Sequence, residues 1–87
     1  MTKTYKPLPL VMVVWDDAAH IEGGWKDSRD LMRLTPARMH SVGWVLEKTK
    51  RAIVLIAHGC NEQRQAQGEM CIPRGCIIKI HKLKVRK

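Results

Sequence analysis

Every apolar run in this chain is short, and every one is stopped by turn-forming residues. The stretch 8–15 ends at Asp16-Asp17, the stretch 52–57 ends at His58-Gly59, and the stretch 76–83 follows Pro73-Arg74-Gly75. Runs of this length, rich in Val and Ile, are too short for packed helices and match strands. Five strands are therefore expected, at 8–15, 40–47, 52–57, 69–72 and 76–83. Pro9 belongs at the start or on an edge of the first, where a missing amide donor is tolerated. In the second, Val42, Trp44 and Leu46 alternate onto one face, which reads as the core face, and Gly43 permits a bulge or a close approach. The continuous run 52–57 suits a strand buried on both faces. A polar turn is expected at 48–51, a Gln-rich loop at 62–68, and a one-turn interruption at Pro73-Arg74-Gly75. Between the first two strands lies a long polar excursion with Gly23-Gly24 at its middle. It holds a short helical segment at 28–34, capped by Asp27 or Ser28 and followed by Pro36. Val13, Trp44, Val54, Ile56, Ile72 and Ile78 form the expected core.

A chain of 87 residues makes one domain and a small core. Residues 1–87 read as that single domain, with 1–7 and 84–87 as flexible tails. No apolar run approaches the ~20 residues of a membrane span. The first run, interrupted by Pro9 and followed by two aspartates, lacks the form of a secretory signal, so a cytoplasmic protein is expected. Lys and Arg number 16 against 8 acids, a formal charge of +8. Glu69 is the last acid, so Lys79, Lys82, Lys84, Arg86 and Lys87 stand in a purely basic segment. That balance favours polyanionic partners through counterion release, and it makes these five residues the nucleic-acid-binding candidates. A solvated basic strand and tail is the plainer account of the same charges. Cys60, Cys71 and Cys76 make an odd count, unlike a secreted disulfide scaffold. Together with His58 they can be drawn as a zinc site, but the four-residue gap between Cys71 and Cys76 is wider than the usual knuckle. Reduced, partly buried thiols are the commoner outcome, and neither a metal nor a cofactor is expected.

A first strand, a long loop, a meander of three strands, a single turn and a last strand follow one another in the order of the SH3-like and Sm-like barrels, which this chain resembles. The expected architecture is therefore all-β with minor helix, a five-stranded SH3-like or Sm-like small barrel with a long first loop. The chain also resembles a set of small phage-encoded proteins. The motifs that carry this likeness are Trp15-Asp16-Asp17-Ala18, Gly24-Trp25, Ser41-Val42-Gly43-Trp44-Val45, residues 53–57 and Ile72-Pro73-Arg74, spanning roughly residues 10 to 83. The resemblance implies a phage or prophage source and brings no activity with it. The SH3 likeness does not extend to proline-rich peptides, because Cys76 stands where an aromatic would follow the proline and Phe is absent. The Sm likeness does not extend to uridine recognition, because no Asp-x-aromatic-x-Asn motif is present. What the Sm likeness does imply is that the Arg74-Gly75 turn resembles the loop facing the ring pore.

The candidate ligand site is accordingly Arg74, Gly75 and Trp25. Arg74 offers a planar fork of donors for phosphate or carboxylate, and Gly75 lets a backbone approach closely. The plainer alternative pairs Arg74 with Glu69 or Glu47. Trp25 either folds back as a lid or stands ready for a partner. No nucleophile–base pair, phosphate loop or metal motif stands out, and Asp16-Asp17 with Glu22 read as exposed carboxylates at a strand end rather than as metal ligands. The expected function is thus non-enzymatic: a phage accessory protein binding a host factor or a small anionic ligand, with countering of host defence as one such role. The alternative is a nucleic-acid-binding accessory protein. Free strand edges make a homo-oligomer the expected assembly.

Overall fold

The computed structural model describes residues 8–60 and 64–86. The expected N-terminal tail 1–7, part of the loop 62–68, and Lys87 lie outside the described residues. The chain is mostly β, with little helix. Its main sheet is antiparallel and five-stranded. The strands are β1 (Leu10–Asp17), β2 (Ala37–Lys48), β3 (Ala52–Ile56), β6 (Met70–Pro73) and β7 (Ile77–Lys82), in the spatial order β6-β3-β2-β1-β7. Between β3 and β6 the chain makes a small separate hairpin of β4 (His58–Cys60) and β5 (Gln65–Gln67). That segment reads as a polar break and loop in the sequence because it has no large apolar side chain, and all six residues of its two strands are exposed. Ala57 N–H donates to the Gln67 carbonyl at 3.1 Å and fixes the hairpin's base.

The core lies on one face of the sheet. Along β1 the residues alternate, with Val11, Val13 and Trp15 buried and Leu10, Met12 and Val14 only half-buried. Opposed residues of an antiparallel pair share a face, so the register carries this parity across the sheet. Val13 faces Ser41 on one side and Ile80 on the other. Ile53 faces Ile72, and Leu55 faces Val45. Val11, Val13, Trp15, Ile53, Leu55 and Ile72 form one cluster, with Val45, Cys76, Ile77 and Ile80 packed on it. Each fully buried side chain contributes about 1.5–3 kcal/mol. Trp15, at the strand end, keeps its indole satisfied inside the core by donating Nε1–H to Ser41 Oγ at 2.9 Å.

The expected core is corrected at three positions. Val13, Ile56 and Ile72 are buried, and Val54 is half-buried. Trp44 is 37% exposed, and Val42 and Leu46 are more exposed still. The inward parity of β2 belongs to Ser41, Gly43 and Val45, small residues that leave room for Val11, Val13 and Leu55 opposite them. Leu46 falls at the register shift between Val45 and Glu47, so it has no cross-strand partner. Ile78 is 54% exposed for the same reason, because a second shift lies where β7 passes Val14 and Trp15. A bulge leaves one residue unpaired and bends its strand. The run 52–57 is buried on its inner face and at Ile56, and it stops one residue early, since Ala57 is exposed.

The excursion between β1 and β2 holds the expected helix in shortened form, α1 (Ser28–Leu31). Asp27 is its N-cap and accepts from Arg29 N–H at 2.9 Å. The Arg29 guanidinium also donates to the same carboxylate, at 2.7 Å to Oδ2, and this holds the Asp27 carboxyl below its ordinary range. A one-turn 3₁₀ segment, Arg74–Cys76, stands at the predicted interruption between β6 and β7.

Candidate interaction surfaces

Trp25 stands at the turn of the excursion. Gly23 adopts a positive φ of 112°, a conformation open to glycine, within the bend just before it. Lys26 donates from Nζ to the Gly24 carbonyl at 2.9 Å across the indole's own position in the chain. The indole is left wholly in solvent, at 105% relative exposure. The lid alternative is thereby removed. Large aromatic surface is rarely left wet without a use, and contiguous exposed apolar area marks interaction sites. Ile21, Met32 and Leu34 are exposed on the same excursion. An open pocket of about 590 Å³ is formed by Ile21, Trp25, Leu31 and Leu34 with His20 and Lys26 at its polar edge. Arg74 is not among the residues lining it, so the three expected ligand residues are not gathered there.

Arg74 acts on the neighbouring turn. Its backbone N–H donates to the Arg51 carbonyl at 2.9 Å, and its Nε–H donates to the Thr49 carbonyl at 3.0 Å. Thr49 in turn accepts through Oγ1 from the backbone N–H groups of Arg51 and Ala52. The guanidinium thus braces the β2–β3 connection, and among the described residues it makes no ion pair with Glu69 or Glu47. Lys48 ends β2, and Lys50 and Arg51 belong to the connection itself, so basic residues gather at this end of the sheet. At Gly75 an added Cβ would meet nothing within 4 Å, so no close approach requires glycine there. Arg74→Ala is therefore expected to lower stability by about 0.5–1.5 kcal/mol, the range for one lost hydrogen bond. A thermal midpoint unchanged from the wild type would show that the brace does not matter.

The basic C-terminal segment divides between two faces. Lys79 lies opposite Val14 on the outer face, whereas Lys82 lies opposite Val11, whose side chain points inward. Lys84 and Arg86 follow β7 without regular structure and are exposed. These lysines therefore do not form one stripe. The potential zinc ligands are also dispersed. His58 and Cys60 lie on the β4–β5 hairpin, Cys71 faces outward from β6 opposite Val54, and Cys76 packs on the core from the 3₁₀ turn. Among the described residues, no three His, Cys, Asp or Glu side chains converge. Asp16, Asp17 and Glu22 are engaged separately, with Arg38 Nε, the Ala18 N–H and His20.

The outer face of the main sheet escaped the sequence reading. It carries Lys79, His81, Met12, Val14, His40, Val42 and Trp44, all on the parity opposite the core. The available signal was Arg38 and His40, two polar residues in phase with Val42 and Trp44. No helix among the described residues is long and apolar enough to cross a membrane. No protein-family model, curated protein or solved structure matches this chain.

Proposed function

We propose that this protein is a non-catalytic interaction module that docks a partner protein through the β1–β2 excursion, with Trp25 as the anchor. The observation that carries this reading is the full exposure of an indole on a loop built to display it. Interface energy concentrates in a few residues, and Trp is prominent among them. Ile21 and Leu34 beside it offer the apolar surround that excludes water once a partner is seated.

The finer architecture belongs to the same proposal. The order β6-β3-β2-β1-β7, with β1 paired to both β2 and β7, supports an SH3-like barrel. So does the 3₁₀ turn. It carries the chain from Arg74, bonded at the β2–β3 connection, to Ile77, opposite Trp15 at the exit of β1. The resemblance of the Trp15-Asp16-Asp17-Ala18 to Ile72-Pro73-Arg74 motif series to small phage-encoded proteins is the basis for a phage source, and a host protein is the partner that this proposal adds. Self-association through the free edge of β6 or β7 is compatible with this role and would be read by sedimentation.

The test is capture from host extract followed by titration of the purified partner. Trp25→Ala is expected to weaken that complex by roughly 30-fold or more, as for a central hot-spot residue. The thermal midpoint should stay unchanged, since the indole touches no core residue. An affinity unaltered by Trp25→Ala would sink the reading.

A further inference from the structure

The register of β1, β2 and β7 builds a second surface, independent of the excursion. Opposed residues form rows across the outer face. One row is Lys79, Val14 and His40, and the next is His81, Met12 and Val42. Trp44 stands in the third, opposite Leu10. Successive rows are about 6.8 Å apart, two residues of strand rise, a step that an extended polymer can follow. Leu83 N–H donates to the Leu10 carbonyl at 2.9 Å. The chain therefore leaves β7 beside Leu10, and Lys84 and Arg86 emerge at the Trp44 end.

This face combines three kinds of group. Trp44, His40 and His81 supply flat rings, Met12, Val14 and Val42 supply apolar floor, and Lys79 supplies fixed positive charge on the face, to which the exposed tail residues Lys84 and Arg86 add charge at its Trp44 end. The three rows contain no carboxylate. Asp16, bonded by Arg38 at 2.6 Å, lies beyond one end of them, and Glu47, opposite Val54, lies beyond the Trp44 end. Charge therefore selects an anionic occupant. A second copy of this chain would set cation against cation. A duplex has its bases stacked inside, out of reach of the rings on this sheet face. A single strand offers the matching pair of features, because its bases present open π-faces to the rings and its phosphates can meet Lys79 on the face and the tail cations at its end.

From this arrangement we infer that the outer face of β1, β2 and β7 binds single-stranded nucleic acid without sequence preference, with Trp44 as the stacking platform. Three phosphate contacts, from Lys79, Lys84 and Arg86, imply a log–log salt slope of about −2 for a single strand. This site shares no residue with the Trp25 excursion, so the two readings stand or fall separately.

The experiment is titration of the full chain with a fluorescent oligothymidylate of about 15 nucleotides, within the size range of such sites, between about 50 and 200 mM salt. Trp44→Ala is expected to weaken binding roughly 10-fold, Trp44→Phe to restore most of it, and Lys79→Gln to reduce the slope by about 0.7. Trp25→Ala should bind as the wild type. Amide shift perturbations in a labelled sample should fall on His40, Val42, Trp44, Lys79 and His81, a readout that does not depend on any variant folding. Three results would each overturn the inference: no binding at the lower salt, perturbations confined to residues 84–86, or displacement by polyglutamate as effective as by unlabelled oligonucleotide.

Discussion

Ile72→Ala should destabilise this protein by about 3–4 kcal/mol, within the range for removing a buried branched side chain. Ile72 is fully buried, and it is the one buried residue of β6. It sits opposite Ile53, itself fully buried, so truncation opens a cavity between two strands and not at a margin. The loss also loosens β6 as a whole, because Met70, Cys71 and Pro73 are exposed and contribute little apolar burial of their own. A domain of this size holds only about 5–10 kcal/mol in total, so such a variant would be partly unfolded under warm conditions. Each kcal/mol lowers the thermal midpoint of a small domain by roughly 4–8 °C, which calorimetry measures directly. Ile78→Ala is the matched control, with the same chemistry at an exposed bulge position, and it should cost under about 1 kcal/mol. Equal losses in the two variants would contradict the assignment of the core face.

Gly43→Ala is expected to be damaging out of proportion to the single carbon it adds. A Cβ placed there lies 2.9 Å from the Ile56 carbonyl oxygen and 3.2 Å from the Leu55 Cβ. The first of these is backbone in the middle of the sheet and cannot swing aside as a side chain can. The β2–β3 pairing must open to admit the methyl, at about 1–3 kcal/mol, the usual cost of overpacking, and Gly43→Val should exceed it. Gly75→Ala provides the contrast. It meets open space, and its expected effect is between neutral and a gain of about 0.4–1 kcal/mol from a less flexible unfolded chain. Denaturant midpoints for the pair decide the matter. A harmless Gly43→Ala would mean that β2 and β3 do not approach as closely as the structure has them.

The strands were legible in the sequence because each is a short apolar run with a turn signal at its end. The Asp27 cap, the polar β2–β3 turn and the Pro73 interruption were legible for the same local reason. The β4–β5 hairpin was not, since a strand pair that buries nothing has no hydrophobic pattern. Arg74 stood out as an anion ligand or a partner of Glu69 or Glu47, but the acceptor of its Nε–H is a carbonyl on another connection, which no spacing reveals. Trp25 was legible as a loop aromatic, and its direction was not.

Local physics set how many strands this chain can form and where they end, because β-branched runs, prolines and glycine turns act on the residues beside them. The tertiary structure decided which face of each strand is inside. Val42, Trp44 and Leu46 are as apolar as a core face should be, yet Ser41, Gly43 and Val45 point inward. The space beneath β2 is already filled by Val11, Val13 and Leu55, and only small partners fit opposite them. Extending the alternation back to His40 and Arg38 hints at this outcome. Volume complementarity between strands far apart in sequence settles it, and with it the presence of Trp44 on an outer surface.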